Sequence, residues 1–136
     1  MKPSVGYAFQ SEFLLSEDEI IGGAQLVGDA NPIHSSPNHD NKQVSGIIAS
    51  GSHVSAMFSA LIPTHLSQFG AVLGLEMSFR FRSPVMPDQR YIMEWRVSAK
   101  EWNRKLDGDL FTLDGDITGP GSKAVMRGTA KVLLLA

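Results

Sequence analysis

Apolar residues recur at helical spacing in the first half of the chain and alternate with polar ones in the second. Leu73, Leu75, Met77, Phe79 and Phe81 alternate with Gly74, Glu76, Ser78 and Arg80, the two-residue period of a strand with one buried face. Met93, Trp95, Val97 and Ala99 alternate with Glu94, Arg96, Ser98 and Lys100 in the same way. Asp107-Gly108 and Gly119-Pro120-Gly121 supply turns ahead of two more strands, near 109–117 and 124–134. A short first strand is expected near 6–13.

Ser16-Glu17-Asp18-Glu19 is a capping box, in which hydroxyl and carboxylate satisfy helix-start amides reciprocally. The helix it opens is expected to bury Ile20, Ala24 and Val27 and to end near Gly28. Residues 35–45 read as a polar loop. From Gln43 to Leu75 there is no Asp, Glu, Lys or Arg. Ser45, Ser50, Ser52, His53, Ser55 and Ser59 interrupt the apolar run, and Pro63 ends it before about 20 apolar residues accumulate, so a membrane span is not expected. A helix over 50–62 with so little polar character belongs inside the protein. Its small residues Gly51, Ser55, Ala56, Ser59 and Ala60 let a sheet wrap closely around it. Helices followed by consecutive strands predict the α+β class, an antiparallel sheet wrapped around a long central α-helix.

Composition narrows the function classes. A chain of 136 residues fits one domain, 1–136, with length for a sizeable core. A formal charge of −2 makes no electrostatic case for nucleic acid or an anionic membrane surface. Without cysteine there is no disulfide, thiolate zinc site or thiol nucleophile. The start, Met1 to Tyr7, lacks the long apolar core of a secretory signal, so a cytoplasmic protein is the default expectation.

The candidate chemistry lies in Gly28-Asp29-Ala30-Asn31-Pro32-Ile33-His34. A carboxylate and an imidazole in one turn make a proton-transfer pair. Pro32 fixes its own backbone angle and pushes Asn31 out of helical geometry, so two side chains can be aimed into one space. Taken alone, Asp29 is an ordinary turn residue and His34 a loop histidine. His34, His39, Asp40 and His53 lack recognised metal-ligand spacing, and no metal is expected. Ser52-His53 is no nucleophile pair, because adjacent helix residues do not face each other. Most of Arg80, Arg82, Arg90, Arg96 and Lys100 read as the solvated face of a sheet and not as contacts to coenzyme A phosphates. Trp95 and the Met and Phe stripes read as core or dimer contacts.

Together these segments resemble the MaoC-like family, the hot-dog-fold (R)-specific enoyl-CoA hydratases and dehydratases. The resemblance rests on the Asp29-x-Asn31-Pro32-Ile33-His34 turn, the Ile48-Ala49-Ser50-Gly51 helix start, and Phe81-Arg82-Ser83-Pro84-Val85 at a strand exit. The chain departs from the family pattern at Ser36, where many relatives are acidic, at Ser50, where many have His, and at Pro87-Asp88, usually Gly-Asp. The resemblance implies reversible hydration of a trans-2-enoyl-CoA to an (R)-3-hydroxyacyl-CoA. Asp29 would be the base and His34 its partner in proton transfer, with the Gly51 amide receiving the thioester oxygen. Asn31 would fix the turn or the Asp29 carboxylate, Ser59 matches a serine that holds the Asp in relatives, and Ser50 supports the site. A partly dry setting is expected to raise the basicity of Asp29. The resemblance further implies no cofactor beyond the coenzyme A of the substrate, and a homodimer or an oligomer of dimers. A hot-dog thioesterase and a non-catalytic acyl-binding subunit are the alternatives.

Overall fold

The computed structural model describes residues 2–136. In chain order come β1 (Ala8–Leu14), α1 (Glu17–Val27), a 3-10 turn (Pro32–His34), α2 (Gly51–Leu66), β2 (Val72–Phe81), β3 (Arg90–Asn103), β4 (Gly108–Thr118) and β5 (Ala124–Leu135). The five strands form one sheet of order β1-β3-β4-β5-β2, and every neighbouring pair is antiparallel. The expected architecture of a sheet around a long helix is therefore the one observed.

The core explains why the sheet wraps α2. Val54, Phe58, Ile62 and Leu66 recur at helical spacing and are all buried, and they meet the inward set Tyr91, Met93, Trp95 and Val97 of β3. Trp95 stacks on Phe58 at a centroid distance of 4.2 Å and donates its indole N–H to the Phe58 carbonyl at 2.9 Å. Such a large side chain fits because β4 and β5 present Gly115 and Gly128 to it. A Cβ at either glycine would lie 2.4 or 2.8 Å from the indole.

Four expectations need correction. Pro63 does not end the central helix, which continues to Leu66. Burial of Ile62 and Leu66 outweighs the missing proline N–H, a penalty of about 3 kcal/mol. Val27 is exposed, because α1 turns inward through Ile20, Gly23 and Ala24 and no further. Ala99 faces outward, since a register shift between Val97 and Ala99 ends the alternation of β3. The alternation of β2 also breaks at a register shift between Gly74 and Glu76, so Val72 and Phe79 pack on the core while Leu73 shares the face of Glu76. Leu73, Leu75, Met77 and Phe81 are 50%, 47%, 40% and 60% exposed on this edge strand.

Candidate active site

The site is built where α1 ends. The capping box forms as the sequence predicts, with Ser16 and Glu19 exchanging hydrogen bonds. At the other end Gly28 takes a left-handed φ of 79° and its N–H returns to the Ala24 and Gln25 carbonyls, a glycine-favoured stop. The chain then reverses. The Asn31 N–H donates to Asp29 Oδ1 at 3.1 Å, and the Asn31 side chain accepts from the Ile33 N–H at 3.4 Å. Asn31 thus fixes the carboxylate through its backbone and the 3-10 turn through its side chain.

That turn is tied to the segment leading into α2. The Ile48 N–H donates to the Ile33 carbonyl, and the Ala49 N–H to the Val85 carbonyl, at 3.1 and 2.9 Å. His34, 6% exposed, has Nδ1 2.8 Å from the Ile48 carbonyl. A carbonyl only accepts, so Nδ1 carries a proton and donates it there. Nε2 is left as the exchanging nitrogen, and it faces Asp29 Oδ2 at 3.2 Å.

Ser50 completes the arrangement. It is fully buried at the N-cap of α2, and its hydroxyl donates to Asp29 Oδ2 at 2.6 Å instead of capping the helix. The first-turn amides of α2 consequently have no side-chain cap, and the Gly51 N–H is free of intrahelical partners. Ser59 is not brought to Asp29. Its hydroxyl donates to the Ala56 carbonyl within α2, about two and a half turns farther along the helix than Ser50.

The expectation that burial raises the basicity of Asp29 is overturned. The Ser50 hydroxyl, followed by the Asn31 amide and the charge of His34, holds the carboxyl below its ordinary value, and desolvation only partly opposes them. A quarter of the side chain remains exposed, so the hydrogen bonds outweigh burial. Ser50→Ala is therefore expected to move the acid limb of the pH–rate profile upward. Loss of its hydroxyl raises the carboxyl's pKa, and ionised Asp29 is lost at a higher pH. The same sign holds for stability, since a depressed carboxyl stabilises the fold above its unfolded pKa and ceases to as pH falls through the folded value. Acid titrations of activity and of unfolding, wild type against Ser50→Ala, read both shifts; coincident acid limbs would remove Ser50 from this role.

His34 and Gly51 open onto a largely apolar groove of about 520 Å³ whose walls include Val54, Phe81, Val85 and Met126. Asp29 touches His34 but does not itself line the groove. Phe81 and Met126 belong to the site through packing, and the signal for Phe81 lay in the Phe81-to-Val85 segment. The groove's outer lip carries Gln43 and Val44. Their loop is pinned by His39, whose ring contacts the Gly46 carbonyl and the Asn41 N–H. His53 lies apart, packed where Gly23 of α1 lacks a Cβ. Burial pushes its imidazole pKa down against the pull of Glu19. Among the described residues no three His, Asp or Glu side chains converge as metal ligands, and no helix is long and apolar enough to cross a membrane.

Comparison with known proteins bears on the family and the fold. Residues 2–110, which include Asp29, Asn31, His34, Ser50, Gly51 and Ser59, match the family described as the MaoC like domain. A 3-hydroxybutyryl-CoA dehydratase of Methylorubrum extorquens is 35% identical over 88 residues, 64% of this chain. The match covers 54% of that enzyme, so the chain spans about half the length of the curated relative it matches. An (R)-hydratase from A. caviae involved in PHA biosynthesis superposes with a TM-score of 0.82 at 25% identity, over 97% of each chain. An (R)-hydratase from Pseudomonas aeruginosa gives a TM-score of 0.82 at 25% identity, covering 98% of this chain and 83% of its own. The sheet-and-helix architecture is thus the α+β hot-dog fold.

Proposed function

The chain belongs to the MaoC-like domain family, and from that premise we propose that it hydrates trans-2-enoyl-CoA thioesters reversibly to (R)-3-hydroxyacyl-CoA. The observation that carries this reading is the Asp29–His34 pair, 3.2 Å apart, whose His34 lines an apolar groove that also exposes the start of α2. Water held at the pair gives up a proton as its oxygen bonds to the β-carbon. The pair returns a proton to the α-carbon from the same face, so atoms balance and the site ends as it began. Meanwhile the thioester oxygen gains charge, and the unpaired first-turn amide of Gly51 suits it. The reaction needs no cofactor beyond the coenzyme A that the substrate carries.

The test is loss of enoyl absorbance with crotonyl-CoA and longer trans-2-enoyl-CoAs, monitored together with free thiol. Consumption without thiol release supports hydration. Thiol release would replace it with thioester hydrolysis, and saturable binding without either would leave an acyl-binding subunit.

We also propose that a second copy covers the open side of the sheet. β2 is an edge strand with four partly exposed apolar side chains, a liability that symmetric pairing removes. Light scattering is expected to give a dimer or a multiple of it, and Leu75→Glu, which puts a charge on that stripe, to shift it toward monomer. A wild-type monomer at assay concentration would refute this.

A further inference from the structure

Three arginines lie together where β2 leaves the sheet. Arg80 stands directly across from Arg127 of β5 in the strand register, and Arg82 follows one pleat on. Like charges opposite each other destabilise a pair of strands unless compensated. Arg127 is compensated by Asp116 of β4, at 3.3 Å. Asp114, the other carboxylate nearby, faces Arg96 across β3 and β4. Arg80 and Arg82 are exposed, and among the described residues no carboxylate pairs with either. The three arginines and two aspartates line a surface depression of about 450 Å³, a local excess of positive charge on a chain whose net charge is −2.

Arg82 lines this depression and also the groove that holds His34 and Gly51. Its backbone N–H is fixed to the Val125 carbonyl at 2.9 Å, so the position joining the two recesses is set by the sheet. An acyl thioester in the groove has one apolar end and one end that must leave toward solvent. Arg82 is shared by the two recesses, with Phe81 lining the groove and Arg80 lining the depression beside it. Of the other basic side chains of the sheet, Arg90, Arg96 and Lys131 are paired with Glu12, Glu94 and Glu76, and Lys100 lies over the Phe111 ring at 5.7 Å from its centroid.

We propose that Arg82 and Arg80 form an anion subsite that receives phosphate on the pantetheine arm of the substrate. It rests on the thioester reading of the groove for the acyl end, and assigns the carrier end to these two residues. Coenzyme A and the phosphopantetheine arm of an acyl-carrier protein share this chemistry. Guanidinium groups suit it because they present several donors to phosphate oxygens and stay charged at all working pH.

The experiment compares crotonyl-CoA, crotonyl-phosphopantetheine and crotonyl-pantetheine on the full chain, in wild type and in Arg80→Gln/Arg82→Gln, which keeps much of the side-chain bulk. For crotonyl-CoA, KM is expected to rise roughly tenfold at unchanged kcat, with the difference fading in high salt. The phosphate-free pantetheine thioester is expected to keep its KM. A rise shared by the phosphopantetheine thioester supports the single phosphate common to both carriers; a rise with CoA alone supports the nucleotide phosphates. An equal rise for all three would mean that Arg82 only shapes the groove, and no rise would mean the arginines are merely solvated; either overturns the subsite. Titration calorimetry with free coenzyme A and pantetheine separates this from the hydratase reading. Arginine-dependent preference for coenzyme A without turnover keeps the subsite while hydration fails. Turnover with no such preference overturns the subsite alone.

Discussion

Asp29→Asn and His34→Ala are each expected to lower kcat/KM for crotonyl-CoA by on the order of 10²–10⁴, the usual range for a positioned acid–base group, with little change in folding. The two substitutions act at different points of one proton path. His34 Nδ1 is committed to the Ile48 carbonyl, so all exchange at the ring runs through Nε2 and across 3.2 Å to Asp29 Oδ2. Alanine at 34 removes the exchanging atom. Asparagine at 29 keeps the shape, but its one oxygen can accept from the Asn31 amide or from Ser50 and not from both, and it carries no charge and takes up no proton. Because the two groups form one path, the double variant should be scarcely worse than the poorer single one. Initial rates for the three variants, with circular dichroism and melting curves to confirm folding, decide the matter. Losses that simply multiply would mean the two residues work independently, and wild-type rates in Asp29→Asn would remove the carboxylate from the chemistry.

The parts of this structure that were legible in the sequence are those written in local periodicity. The strand of Met93, Trp95 and Val97 needed only the alternation of side chains, and the start of α1 only the Ser16 and Glu19 spacing. What escaped depends on tertiary context. Pro63 signals a stop, yet Ile62 and Leu66 are so well buried that the helix runs through it. The bulge after Val97 leaves Ala99 outside with no local warning, because a register shift is a property of two strands and not of one. The candidate site divides along the same line. Asp29, His34 and Gly51 stood out as a spaced pattern, whereas the ionisation of Asp29 depends on whose hydrogen atoms reach its oxygens. Of the two candidate serines, Ser50 and Ser59, the buried one at the N-cap makes that contact, and spacing alone could not choose between them.

Gly51→Ala is expected to reduce kcat by on the order of 10², near the lower end for loss of an oxyanion donor, while leaving the protein folded. Gly51 is the first residue of α2, and the side chain that would ordinarily cap that helix is spent on Asp29. A free amide at a helix start favours an anion by its own N–H and by the helix dipole. The absent side chain matters as well, because a Cβ here would lie 2.9 Å from the Phe81 ring. Phe81 is 60% exposed, so the ring can swing aside and the core need not move. The cost therefore falls on the groove in front of the amide and not on stability. Phe81→Ala in the same chain distinguishes the two contributions. Recovery of kcat in Gly51→Ala/Phe81→Ala assigns the loss to the displaced ring, and a persistent loss assigns it to the methyl group at the amide. If Gly51→Ala turns over at the wild-type rate, the start of α2 does not receive the developing charge, and another donor must be sought along the groove.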